Sequence, residues 1–111
     1  MKNLSHAIAL CLLISGSALA CDYPENTVAD DLPRGATASP EEMEAAQQRV
    51  KNYVRKLEAY AACVDGEPLS RRQIMSRDRD RAISEAQDIA DKMNREIRQF
   101  NRSLQLRQAS S

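Results

Sequence analysis

Cysteine is the residue type in this chain whose chemistry is easiest to define. Three are present: Cys11 lies within an apolar run near the N-terminus, and Cys21 and Cys63 lie in more polar surroundings. A cysteine can act as a nucleophile, a metal ligand or half of a disulfide, and its spacing and compartment decide between these roles. No two of the three form a C-x-x-C motif, so the spacing gives no sign of a catalytic redox pair.

Residues 1–20 predict that the chain is exported. Lys2 precedes the apolar run AIALCLLI, and the stretch closes on Ala-Leu-Ala at positions 18–20. A basic start, a short apolar core and an A-x-A end are typical of a secretory signal peptide. The apolar run is well short of the ~20 residues that span a bilayer. We therefore predict a periplasmic or secreted protein whose mature chain begins at Cys21.

Removal of this leader narrows the chemistry that the chain can perform. It takes away His6, the only histidine, and leaves 15 basic and 16 acidic side chains. Nucleophilic catalysis needs a base beside the nucleophile, and a zinc site needs three or four ligands, so the sequence favours neither. The near-neutral charge gives no general attraction to nucleic acid or to an anionic membrane. We predict no enzymatic activity, no cofactor, no metal site and no nucleic-acid partner.

Cys21 and Cys63 allow two interpretations. A pair of cysteines in an exported chain predicts a disulfide. Lipidation of Cys21 would instead tether the protein to a membrane, although Ala18 stands where lipoproteins usually carry Leu, Val or Ile. Chain length permits the disulfide, because the segment before Ser39 reaches roughly 60 Å when extended and the helix from there to Cys63 is about 35 Å long.

The first helix is predicted over residues 39–65. Ser39 and Glu42 form an S-x-x-E capping box at its start, and we expect Gly66 to end it in a left-handed conformation. Its apolar residues recur at the spacing of one helix face: Met43, Ala46, Val50, Tyr53, Val54, Leu57, Tyr60, Ala61 and Val64.

A second helix is predicted over residues 70–106, followed by a disordered tail at 107–111. Ser70 and Gln73 repeat the capping pattern. The short connection makes the two helices antiparallel neighbours with coiled-coil-like heptad spacing. The predicted fold class is thus all-α, an antiparallel helical hairpin with an extended N-terminal segment, residues 21–38, tied back by one disulfide. The apolar stripe of the second helix is Met75, Ala82, Ile83, Ala86, Ile89, Ala90, Met93, Ile97, Phe100 and Leu104.

The far end of the second helix is the candidate interaction face. If the hairpin turns near Gly66, Pro40 lies opposite roughly residue 95, and the apolar groups beyond that point extend past the first helix. An uncovered apolar stripe marks an interaction surface, so we expect a protein partner or a second copy to bind here through the second helix. The face comprises the apolar residues Ile97, Phe100 and Leu104 and the arginines Arg95, Arg98 and Arg102.

Short motifs spread over nearly all of the mature chain add a resemblance. They are Cys21 and Pro24; Pro33, Gly35 and Ala36; Glu41, Met43 and Ala46; Val50 and Tyr53; Glu58, Tyr60 and Cys63; and Phe100 and Asn101. In order and spacing they resemble a group of small exported proteins of proteobacteria. Arg34 departs from the acidic residue expected before the glycine of that group. The resemblance implies a bacterial protein with the cysteine pair and the helices, and it implies no activity.

These features together predict a non-catalytic protein-interaction or envelope-maintenance factor. The alternative is a membrane-tethered lipoprotein adaptor that is lipidated at Cys21. A small secreted enzyme is a less favoured alternative, since the mature chain lacks both a histidine and a C-x-x-C motif.

Overall fold

The protein is an antiparallel hairpin of two helices. A computed structural model describes residues 20–28 and 30–110, and the predicted signal peptide lies outside this part of the chain except for Ala20. Helix α1 spans Pro40–Asp65 and helix α2 spans Leu69–Ala109. Residues 20–28 and 30–110 contain no β-strand. The predicted fold class, an all-α hairpin with an N-terminal segment tied back by a disulfide, is confirmed.

The sequence correctly predicts where α1 begins and ends, but not the backbone conformation of the residue that ends it. The capping box forms as predicted: the backbone N–H of Glu42 donates to Ser39 Oγ at 3.1 Å, and Glu42 Oε1 accepts from the backbone N–H of Ser39 at 3.1 Å. Gly66 ends the helix, but with φ −85° and ψ −4°. The prediction of a left-handed cap is therefore wrong, because the N–H of Gly66 still bonds to Ala62 and Cys63 carbonyls as a last helical turn would.

Helix α2 is longer than predicted at both ends. It begins after Pro68, whose carbonyl accepts from the N–H of Arg71 at 2.9 Å, and no side chain caps it. Ser70 lies inside the first turn, so the predicted Ser70 cap is wrong. The predicted disordered tail is wrong for residues 107–109, which are helical. No Gly or Pro follows Pro68 to end the helix, and its last residues are mostly good helix formers.

The core lies along the seam between the two helices. Leu57, Ala46 and Ala82 are fully inaccessible to solvent. The predicted stripe of α1 is buried throughout except Val54, which is partly buried. The stripe of α2 contributes fewer buried residues, and its other members are partly buried. The buried residues of α2 are Ala82, Ala86, Ile89 and Met93.

The N-terminal segment, residues 21–38, returns along one side of the hairpin. It begins at the disulfide, inserts Val28 and Ala38 into the core, and turns at residues 35–37 before α1 begins. At this turn the N–H of Gly35 donates to Glu96 Oε1 at 2.9 Å. Gly35 lies so close to α2 that a Cβ atom there would stand 2.8 Å from the backbone N of Phe100. The segment therefore covers the end of α2 that extends past α1.

Candidate functional site

The disulfide fixes one end of the N-terminal segment to α1. Cys21 and Cys63 are bonded, with their Cα atoms 5.7 Å apart, a usual separation for a disulfide. The bond occupies the same sulfur of Cys21 that a thioether-linked lipid would require. Disulfides persist in oxidising compartments, so the pair indicates that the protein works in an oxidising environment.

A cluster of three tyrosines and two charged residues lies beside the disulfide. Tyr23, on the N-terminal segment, packs edge-on against Tyr60 with 5.0 Å between ring centroids. Its hydroxyl donates to Glu85 Oε1 at 2.7 Å, and the hydroxyl of Tyr53 donates to the other carboxylate oxygen of Glu85. The guanidinium of Arg81 lies 4.4 Å from the centre of the Tyr23 ring. We call these five residues the tyrosine cluster.

The electrostatics of the tyrosine cluster suit a structural role, in which the cluster holds the N-terminal segment in place. Burial and the hydrogen bond to Glu85 raise the pKa of Tyr53 well above its ordinary value. Burial is also the first cause that raises the pKa of Tyr23 and of Tyr60. Neutral phenols that donate to a carboxylate hold the segment against both helices and supply no nucleophile at neutral pH.

The opposite side of the hairpin carries an open groove between α1 and α2. Its volume is about 370 Å³, and no residue of the N-terminal segment lines it. The floor is apolar: Val50, Val54, Ala90, Met93 and Ile97. The edges are polar: Gln47, Lys51, Arg55 and Glu58 on α1 and Asn94 on α2. We call this site the open groove.

The structure separates the residues of the predicted interaction face. Ile97 lies in the floor of the open groove, whereas Phe100 packs against the core and Leu104 is partly buried. The three residues therefore do not form one continuous stripe, because the turn of the N-terminal segment packs on α2 at Phe100 whereas Ile97 faces the open groove. The hydroxyl of Ser103 donates to the carbonyl of Ala36 at 3.0 Å at the same place.

The three arginines of that face lie on the outer surface of α2. Arg95 and Arg98 border a shallow depression with Asp88, Asp91 and Lys92. Arg102 borders a different one, beside Ala36 and Leu106. All three are exposed. The large apolar side chains most exposed in the described residues are Leu69, Ile74 and Leu106 instead.

One group of potential metal donors occurs in the part of the chain that the structure describes. The two cysteine sulfurs and a carboxylate oxygen of Glu67 lie within 4.8 Å of one another, but the sulfurs are joined in the disulfide and are therefore not thiolate ligands. Glu67 belongs to the short connection between the helices, with Oε1 3.6 Å from Cys21 Sγ. The sequence predicted no metal site, because the mature chain has no histidine and offers too few ligands.

Sequence reasoning missed the residues that hold the N-terminal segment in place. Tyr53 and Tyr60 are predictable from the helical period, but Tyr23 lies in a stretch without a period. Its proximity to the disulfide was the available signal, because a residue two positions from Cys21 must lie near Cys63. Glu85 could have been found as the acidic residue opposite Tyr53 in the antiparallel register.

Comparison with known proteins adds no assignment to this geometry. The chain matches no protein-family model, no curated protein and no solved structure. Across residues 20–28 and 30–110, neither helix is apolar enough over a sufficient length to cross a bilayer.

Proposed function

We propose that this is an exported, non-catalytic protein-interaction factor of the bacterial envelope, which binds an amphipathic helix of a partner protein in the open groove. The groove itself is the observation that carries this proposal. A pair of antiparallel helices presents two sides, and here the N-terminal segment covers one of them and leaves the other with an apolar floor. A third helix in the groove would complete a bundle by covering that floor.

The dimensions of the groove favour a single helix over a broad protein surface. Its α1 edge runs from Gln47 to Glu58, twelve residues or about 16 Å of helix. That length accepts about three turns of a bound helix, with anchors at i, i+3 or i+4, and i+7.

The charged residues on the α1 edge of the open groove indicate what charge the partner helix should carry. Lys51 and Arg55 stand side by side on the α1 edge, and neither forms an ion pair with another described residue. The other α1 side chains of this edge are Gln47 and Glu58, so its centre is basic. A partner helix with acidic residues along one flank would pair with these two cations, and this complementarity would set its orientation.

Photo-crosslinking in living cells tests the groove. A photoreactive residue in place of Lys51 should give a discrete adduct, whereas one in place of Lys56, which is exposed on α1 beside the disulfide and outside the groove, should not. The crosslinked segment of the partner, identified by mass spectrometry, should carry apolar residues at helical spacing and an acidic flank. Equal adducts from both positions, no adduct, or a crosslink to a second copy would contradict the proposal.

Export is tested separately by mass spectrometry of the protein isolated from its native host. A chain that starts at Cys21 and weighs two hydrogens less than its reduced form would support export with the disulfide intact. A chain that retains residues 1–20 would contradict export. A mass increase by a diacylglyceryl group would favour the lipoprotein alternative.

A further inference from the structure

We propose that α2 carries a second binding surface, which attaches the protein reversibly to the anionic phospholipid headgroups of a membrane. The surface lies on the outer side of the C-terminal half of α2. The proposal rests on the export proposed above and does not depend on the open groove. We call this surface the basic face, and it consists of Lys92, Arg95, Arg98, Arg102 and Leu106.

The near-neutral charge of the mature chain conceals an uneven distribution. Residues 92–111 contain five basic and one acidic side chain, whereas residues 21–91 contain ten basic and fifteen acidic ones. Such an asymmetry indicates an anionic partner for the basic part, even where the whole molecule has no general attraction to one. The single acid, Glu96, is directed to the turn of the N-terminal segment, where its Oε1 accepts from the backbone N–H of Gly35.

The four cations of the basic face form no ion pair with another described residue. All four are exposed, and Leu106 is 66 % exposed. Two acids, Asp88 and Asp91, border a depression together with three of these cations but form no ion pair with them. The guanidinium groups are therefore available to phosphate oxygens, which an arginine binds through two parallel N–H bonds.

The basic face forms one line along α2. Its last four members are three, four and four residues apart, which is the spacing of neighbours on one side of a helix. Its first three members line a depression of about 550 Å³, and Arg102 and Leu106 line another of about 320 Å³. Gln99 lines both depressions, so the two adjoin. From Lys92 to Leu106 the face is about 21 Å long.

A membrane surface fits the basic face better than an acidic protein does. Apart from Leu32 and Ala36 of the N-terminal segment, the residues that line its depressions lie on α2 or at its end, so the face offers no groove between two helices. Leu106 adds an exposed apolar side chain to the line of cations. A helix that presents cations beside apolar side chains binds at the interface of an anionic membrane. Export also separates the chain from cellular nucleic acid, the other common partner of an arginine row.

Sedimentation with phospholipid vesicles tests the basic face, with protein isolated from its native host. The protein should sediment with vesicles of phosphatidylethanolamine and phosphatidylglycerol in equal parts, and not with vesicles of phosphatidylcholine alone. High salt should release it, because salt screens exposed charges. Arg95→Gln/Arg98→Gln should lower the partition coefficient about thirtyfold, since each arginine near the surface contributes about fivefold.

Arg72→Gln/Arg77→Gln is the matched control. It removes the same charge from exposed positions of α2 that form no ion pair, but near the opposite end of the helix. This variant should sediment as the wild type does, because charges so far from the basic face are screened. No sedimentation with the anionic vesicles, equal sedimentation with phosphatidylcholine vesicles, or equal losses from the two double variants would each overturn the proposal.

A fluorophore on Gln99→Cys distinguishes a lipid surface from an acidic protein. Gln99 is exposed in the middle of the basic face. The emission should shift to the blue with the anionic vesicles, because the probe enters an apolar environment, and should stay unchanged with poly-glutamate. A blue shift with poly-glutamate and none with vesicles would assign the face to an acidic protein instead. Because the photo-crosslinks of the open groove depend on Lys51, either proposal can fail without the other.

Discussion

Gly35 shows how one residue determines where the N-terminal segment can lie. Its backbone is not in a left-handed conformation, so the glycine is required by space and not by φ. A Cβ at this position would collide with the backbone of α2 at Glu96 and Phe100, and neither group is the flexible end of a side chain. The turn at residues 35–37 therefore rests directly on the helix backbone.

Gly35→Ala is expected to lower the free energy of unfolding by about 1–3 kcal/mol, because the segment must move away from α2 to admit the methyl group. Gly66→Ala is the matched control: its Cβ would be no nearer than 3.5 Å to Cys63 O, and its φ of −85° suits alanine. This control should be neutral or slightly stabilising. Urea denaturation measures both, and equal losses would contradict the role assigned to Gly35.

The tyrosine cluster makes stability depend on alkaline pH. The chain has only three tyrosines, Tyr23, Tyr53 and Tyr60, and the pKa of each is raised in the folded protein, first by burial. In the unfolded chain they ionise near pH 10. The folded state then binds more protons than the unfolded state above that pH. Their contribution to stability is complete below about pH 10 and is lost as the pH rises towards the raised folded-state values.

We therefore expect the free energy of unfolding to fall above about pH 10, by up to about 1.4 kcal/mol per pH unit for each tyrosine. Urea denaturation between pH 8 and pH 11 measures the slope. Tyr53→Phe should make the slope shallower. Phenolate absorbance of the native protein that rises at the same pH as that of the unfolded chain would refute this expectation.

At the scale of the elements, the helices were predictable because their signals are local. The capping box at Ser39 and the heptad columns of α1 depend on residues within a few turns of each other, and the structure confirms both. The ends of α2 were not predictable. Pro68 precedes the helix without a side-chain cap, and nothing in the sequence marks where the helix ends. Boundaries depend on weaker signals than the helical period does.

The candidate site was only partly predictable, because many of its contacts are not local in the sequence. The disulfide followed from cysteine parity, but the contacts of the N-terminal segment join residues far apart in the sequence, such as Tyr23 and Glu85. Without a period, nothing shows which surface such a segment covers. The unprotected end of α2 was predicted to be the interaction face, and the turn at Gly35 covers it. The open groove lies instead between α1 and α2, where no residue of the N-terminal segment covers the apolar floor.

Packing of α1 against α2 should be most sensitive to substitution at Leu57, which is fully buried in the seam. Leu57→Ala is expected to cost about 2–5 kcal/mol of unfolding free energy, from lost burial and the cavity that remains. Leu106→Ala removes the same atoms from a helical position that is 66 % exposed, and its effect should stay within about 0.5 kcal/mol. Chemical denaturation compares the two, and similar losses would be inconsistent with a core confined to the seam.

For the whole molecule, the disulfide contributes to stability on the scale of the core itself. A domain of ~90 residues has a small core, and proteins of this kind are stable by only 5–15 kcal/mol in general. The bond links residues 42 apart in sequence. Closing a loop of that length restricts the unfolded chain by roughly 4 kcal/mol in the chain-entropy model. Without the bond, the N-terminal segment depends on the tyrosine cluster and on the contacts of Gly35.

Cys63→Ser is accordingly expected to lower the free energy of unfolding by about 3–4 kcal/mol, measured by urea denaturation. Because Cys21 and Cys63 stabilise the protein through one shared bond, the double variant Cys21→Ser/Cys63→Ser should lose no more than the single variant does. Hydrogen exchange should show the larger increase in residues 21–34, which the bond holds, and a smaller one in the seam around Leu57. A double variant that loses about twice as much would mean that each cysteine stabilises the fold through separate contacts, and the loop-closure account would then be wrong.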